Sequence, residues 1–151
     1  MIRLDAASVL LQWAVGGLFF LWITTRRREV GIGYGWLLRG VFGLFAVGSV
    51  IVGQAVGPVP VRDGSAIAVA LAAGAAFVVS YQRRKAGVEG ARTEVERRSA
   101  RVAAMTGIDR DVQQFDHEAP EFPPWLDLIA PVVGLVGLVS AGVAAGGPVW
   151  L

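Results

Sequence analysis

The run AASVLLQWAVGGLFFLWITT, residues 6–25, followed at once by Arg26-Arg27-Arg28, decides the fold. It carries no charge, and a bilayer core of about 30 Å takes about 20 helical residues to cross. The run is longer than the apolar core of a secretory signal, and no small-residue cleavage site follows it. The triple Arg therefore reads as a stop-transfer cluster and the segment as a permanent span.

Working outward, three more runs are almost free of charge: residues 36–56, 65–81 and 125–151. Backbone polar groups in hydrocarbon must be satisfied within their own segment, which selects helices. The chain has 151 residues, of which 54% are hydrophobic and 17% charged. It reads as one all-α integral membrane domain of four transmembrane helices. A charged helix and loop, residues 82–124, lies between the third and fourth.

Basic residues at the span ends set the predicted orientation. Arg26-Arg27-Arg28 and Arg83-Arg84-Lys85 are expected on the cytoplasmic side, whereas the connection 57–64 carries only Arg62 among basic residues. Both termini are then outside, with residues 82–124 inside. Thirteen Arg against one Lys, with abundant Ala, Gly and Val, point to a GC-rich bacterial genome and so to a bacterial inner membrane.

The stretch VGIGYG, residues 30–35, invites comparison with a phosphate cradle or a potassium filter. A filter needs a re-entrant pore helix, for which no chain is available here. A phosphate cradle needs a strand before the glycines, and a membrane span precedes them instead. The sequence predicts a tight turn whose glycines permit positive φ, with Tyr34 and Trp36 as interfacial anchors.

Helices in lipid associate through small residues and a few polar bonds. Ser49, Gly53 and Gly57 recur at intervals of four in the second span, Ala66, Ala70 and Gly74 in the third. The fourth offers Gly137 with Ala141 and Gly142 with Gly146. These faces are expected to pack internally, with enough small residues left over for an external protein partner. Arg39 and Asp127 enter their spans from the same side, each within about a turn of the interface, so a pair between them would tie the second span to the fourth. Separate snorkelling is the alternative. Pro131 either interrupts a helix beginning at Trp125 or stands in the first turn of a shorter one.

From Gln82 to Met105, seven basic residues face three Glu, on a helix-compatible stretch expected to continue from the third span. Its net positive charge suits anionic lipid headgroups. After Thr106-Gly107 the sign reverses, and FDHEAPEFPPW, residues 115–125, reads as a stiff acidic docking segment containing Asp116, His117, Glu118 and Glu121. Adjacent residues in a proline-rich loop converge poorly on a metal, so neither a metal site nor a catalytic group is assigned there.

The chain contains no Cys and one His, which leaves no thiolate ligation and no bis-His haem within it. No cofactor is expected, and no nucleic-acid reader motif is present. The expected function is that of a non-catalytic accessory or assembly subunit of a larger envelope membrane complex, a lipid or solute transporter or a respiratory complex. Its partners would be other integral membrane proteins. The alternative is a small oligomeric transporter or channel. Four-helix multidrug transporters resemble the chain in size but carry an embedded Glu in their first span, where residues 6–25 have no acid.

Overall fold

A computed structural model describes residues 5–27, 32–84, 91–107 and 120–146. Five helices occur among them: α1 (Ala6–Arg26), α2 (Ile32–Val56), α3 (Pro60–Gln82), α4 (Ala91–Thr106) and α5 (Leu126–Ala144). Helices α1, α2, α3 and α5 are long and apolar enough to cross a membrane, the make-up of a multi-pass membrane protein. At 1.5 Å per residue they extend roughly 28–38 Å.

The four apolar helices form a ring in the order α1, α2, α3, α5. Helices α1 and α3 approach across one diagonal, while α2 and α5 occupy opposite corners without backbone approach. The α4 backbone does not approach that of any other described helix.

Each spanning helix contributes a seam with alternating steps of three and four residues. On α1 it runs through Ala7, Leu11, Ala14, Leu18, Leu21 and Thr25, and on α3 through Arg62, Ala66, Val69, Ala73, Ala76 and Ser80, all buried. On α2 it includes Gly35, Arg39, Ala46, Ser49 and Gly53, and on α5 Asp127, Ala130, Gly134 and Gly137. A repeat of 3.5 is the signature of the shallow left-handed crossing that brings ridges of one helix into grooves of the next. Large residues on one helix meet glycine on another. Leu11 lies 3.1 Å from where a Gly137 Cβ would stand, and the Phe42 ring fills the space that a side chain at position 17 would need. Trp13, Phe20, Leu44, Ile51 and Leu71 point outward, as lipid-facing residues do.

That period divides the small residues differently from the four-residue intervals of the sequence. Ser49, Gly53, Ala66 and Gly137 lie on the buried seam, and Ala70 is half-buried beside it. Gly57 and Gly74 have open space around them, and Ala141 and Gly142 are half-exposed. Gly146 sits in an exposed terminal turn with φ 67°. Strict steps of four drift off a 3.5-residue seam, so Gly74, the third member of the series in α3, leaves the interface, while Gly57 lies one residue past the end of α2.

The helix limits also differ from the apolar runs. Helix α2 begins at Ile32, so Gly33 and Gly35 are helical rather than residues of a turn. Helix α3 begins at Pro60, with Asp63 in its first turn, where residues 57–64 read as a loop. Proline suits the first helical position because its missing N–H has no intrahelical partner there. Asp63 Oδ2 accepts from the Val59 amide at 3.1 Å, satisfying one of the exposed donors of the helix start. Hydropathy marks what crosses lipid, and these polar turns extend beyond that stretch.

Helix α3 ends at Gln82, so α4 is a separate helix rather than its continuation. Gly107, with φ 68°, ends α4 in a left-handed cap whose amide donates to the Ala103 carbonyl at 2.8 Å. Pro131 is buried inside α5, which starts at Leu126 and continues through it.

Candidate functional site

Two polar clusters close the ends of an apolar bundle. At the end carrying Arg26 and Arg83, Arg39 of α2 reaches across the wide diagonal to Asp127 in the first turn of α5. Arg39 Nε donates to Asp127 Oδ1 at 2.6 Å and Nη2 donates to Oδ2 at 2.5 Å. Arg39 is 1% exposed and Asp127 2%. The fork geometry matches the two carboxylate oxygens, which is what guanidinium offers and a point charge cannot. Because the α2 and α5 backbones stay apart, the long Arg side chain is what bridges them here.

The pair has a roof. Phe122, fully buried, presents its ring 4.2 Å from the Arg39 guanidinium carbon, a cation–π contact inside a desolvated site. Arg83 Nη1 holds the adjoining Glu121 carbonyl at 2.8 Å, fixing the approach to α5 against the end of α3. Among the described residues, none offers the buried Arg39 Nη1 a hydrogen bond. It lies against Gly35, where a Cβ would stand 2.9 Å away. Among the glycines of VGIGYG, Gly35 thus has an identifiable role, leaving room for a guanidinium.

This gives an expected result. Gly40 faces only the Phe77 ring, at ordinary contact distances of 3.6 and 3.7 Å, so Gly40→Ala should gain up to about 1 kcal/mol from helix propensity. Gly35→Ala should lose about 1–3 kcal/mol to crowding, offsetting that gain. Thermal unfolding in detergent checks the order, and equal stabilisation by both substitutions would contradict it.

At the opposite end, Arg62 of α3 is 2% exposed and joins Asp63, with Nε donating to Oδ1 at 2.8 Å. It also pairs with Asp5, the N-cap of α1, and donates through Nη2 to the Gly57 carbonyl at 2.8 Å. Gln54 Nε2 stands 3.5 Å from Asp63 Oδ2. A Cβ at Gly53 would come within 2.6 Å of both Arg62 and Asp63, so this glycine too clears space for a buried charge. The cluster ties the start of α1 and the α2–α3 connection to α3.

Between the clusters the core is Leu11, Ala14, Val15, Leu18, Leu21, Ala46, Ala66, Val69, Ala73 and Ala130. Ser49 Oγ donates to the Ala7 carbonyl at 2.7 Å, a buried bond between α2 and α1. The two glycines that accommodate the clusters, Gly35 and Gly53, are separated by about 27 Å of helix.

The geometry therefore brings Arg39 to Asp127 and places Ser49, Gly53, Ala66 and Gly137 between helices. It does not gather Gly57, Gly74 and Gly146 into an internal contact. Asp116, His117 and Glu118 lie outside the described residues, while Glu121 contributes its carbonyl to Arg83. Sequence reasoning missed Asp5, Arg62 and Asp63. The available signal was Pro60, two positions ahead of an Arg–Asp dipeptide, at the start of an apolar run. No protein-family model, curated protein or solved structure matches this chain.

Proposed function

We propose that the chain is a non-catalytic accessory or assembly subunit of a larger bacterial envelope membrane complex, with a lipid or solute transporter or a respiratory complex as the class of host. Its basic end, with Arg26, Arg27, Arg83 and Arg84, faces the cytoplasm in this reading, following the asymmetry of basic residues. The observation that carries it is the outer face of α3. Gly64, Gly74 and Ala75 are exposed there beside Ile67, Leu71 and Val78, and nothing lies within 4 Å of a Cβ on either glycine. Small residues among bulky ones form a surface onto which another membrane helix can pack closely. The internal seam of α3 uses a different set of residues and does not need them.

The interior supports the same reading. Arg39 is paired with Asp127 at one end and Arg62 with Asp63 at the other, and the core between the two clusters is made of apolar side chains. Such a bundle is suited to holding a shape.

The test is affinity purification of the tagged chain, expressed at native level, in gentle detergent, followed by mass spectrometry. A stoichiometric set of other integral membrane proteins is expected. Gly74→Leu should deplete it severalfold while leaving the yield of folded chain unchanged. Recovery of self-oligomers alone, in detergent that preserves other membrane complexes, would overturn the proposal and direct attention to reconstituted transport.

A further inference from the structure

Helix α4 is charged, 16 residues long, and its backbone approaches no other described helix, yet its place in the chain confines it. Six residues separate its first residue from Arg84 at the end of α3, a tether of at most about 20–25 Å of extended chain. If α3 crosses a bilayer, α4 cannot leave the neighbourhood of the headgroups.

Its surface fits that location. Val102 and Met105 are exposed, Met105 at 72%, and with the half-buried Val95 they fall on one side of the helix. Arg97 and Arg101, both exposed, lead to Met105 at successive intervals of four, so positive charge borders the apolar strip. Arg98 lies within the strip itself. Long Arg side chains can place their apolar stems along a bilayer surface and their charged ends among phosphates. Such a helix has the pattern of one lying in the interface plane.

We infer that α4 lies on the anionic headgroup surface of the membrane that α1, α2, α3 and α5 cross, with Val102 and Met105 towards the acyl boundary and Arg97 and Arg101 on lipid phosphate. The inference rests on the membrane setting of the proposed function but not on the identity of any partner protein. Anionic bilayers attract juxtamembrane basic residues, and exposed charges of this kind are screened by salt.

The chain contains no Cys, so Met105→Cys provides a unique site for an environment-sensitive fluorophore. The full chain carrying that label would be placed in nanodiscs of phosphatidylcholine alone, or of phosphatidylcholine mixed with phosphatidylglycerol. The expected result is a blue-shifted emission in the anionic discs that high salt reverses and that neutral discs do not produce. Arg97→Gln with Arg101→Gln should lower the ratio of surface-bound to free α4 roughly thirtyfold. Equal emission in both kinds of disc, or a shift indifferent to those substitutions, would overturn the inference. So would a shift that appears only when a co-purifying membrane protein is added, which would assign the α4 surface to protein. Because the isolated chain is used, loss of the partner complex in the purification experiment leaves this measurement readable.

Discussion

Asp127→Ala is expected to cost about 3–5 kcal/mol, the range for removing one partner of a buried ion pair. Arg39, 1% exposed, would have no carboxylate opposite Nε and Nη2, and Nη1 already has no partner among the described residues. The Phe122 ring, 4.2 Å from the guanidinium carbon, offers only its face in compensation. The converse substitution, Arg39→Met, should be milder. Asp127 lies in the first turn of α5, where the helix dipole favours a negative charge by about 0.3–1 kcal/mol, and more in partly buried geometry. In the double variant Arg39→Met with Asp127→Leu neither charge remains buried, so most of the loss should be recovered. Thermal unfolding in detergent measures all three, and limited proteolysis near Phe122 reports whether the roof over the pair has opened. Four proteins of equal stability would mean that the pair contributes nothing to the link between α2 and α5.

The apolar runs were legible because lipid imposes a length and a polarity that few other settings do. Which side of each helix faces the interior was not, since lipid and core are both apolar and hydropathy cannot distinguish them. The distinction lies in side-chain volume at a 3.5-residue spacing. Gly134 and Gly137 belong to that seam, whereas steps of four lead from Ala66 to the outward Gly74. Arg39 and Asp127 stood out in the sequence as charges inside apolar runs at similar depth. Asp5, Arg62 and Asp63 did not, because charges beside a run ordinarily mark solvent. The burial of Arg62 and Asp63 depends on Gly53, on the Gly57 carbonyl and on α3 beginning at Pro60, relations that a linear reading does not bring together. Gly35 misled in the opposite direction. Its place among other glycines pointed to a turn, while its role is defined by Arg39, one helical turn later.

Gly134→Val should be strongly damaging to the bundle. A Cβ at this position would overlap the Val15 side chain of α1 and stand 3.1 Å from Val69 Cγ2 of α3, so a β-branched residue is opposed from two helices. Val15 is 5% exposed and Val69 fully buried, leaving neither an outward route. Overpacking of this kind typically costs about 1–3 kcal/mol, and opposition from two sides places Gly134→Val at or beyond the upper end. Val15→Ala should relieve part of the overlap and recover some stability in combination, which a general intolerance of valine in α5 would not do. Gly74→Val provides the opposite case, because nothing lies within 4 Å of a Cβ there. The isolated chain should unfold at an unchanged or slightly raised temperature with that substitution. Comparable destabilisation by Gly134→Val and Gly74→Val would mean that the seam is misassigned. Loss confined to Gly134→Val, with partner recovery lost only in the Gly74 variant, would separate the glycines that build the bundle from those that present it to another protein.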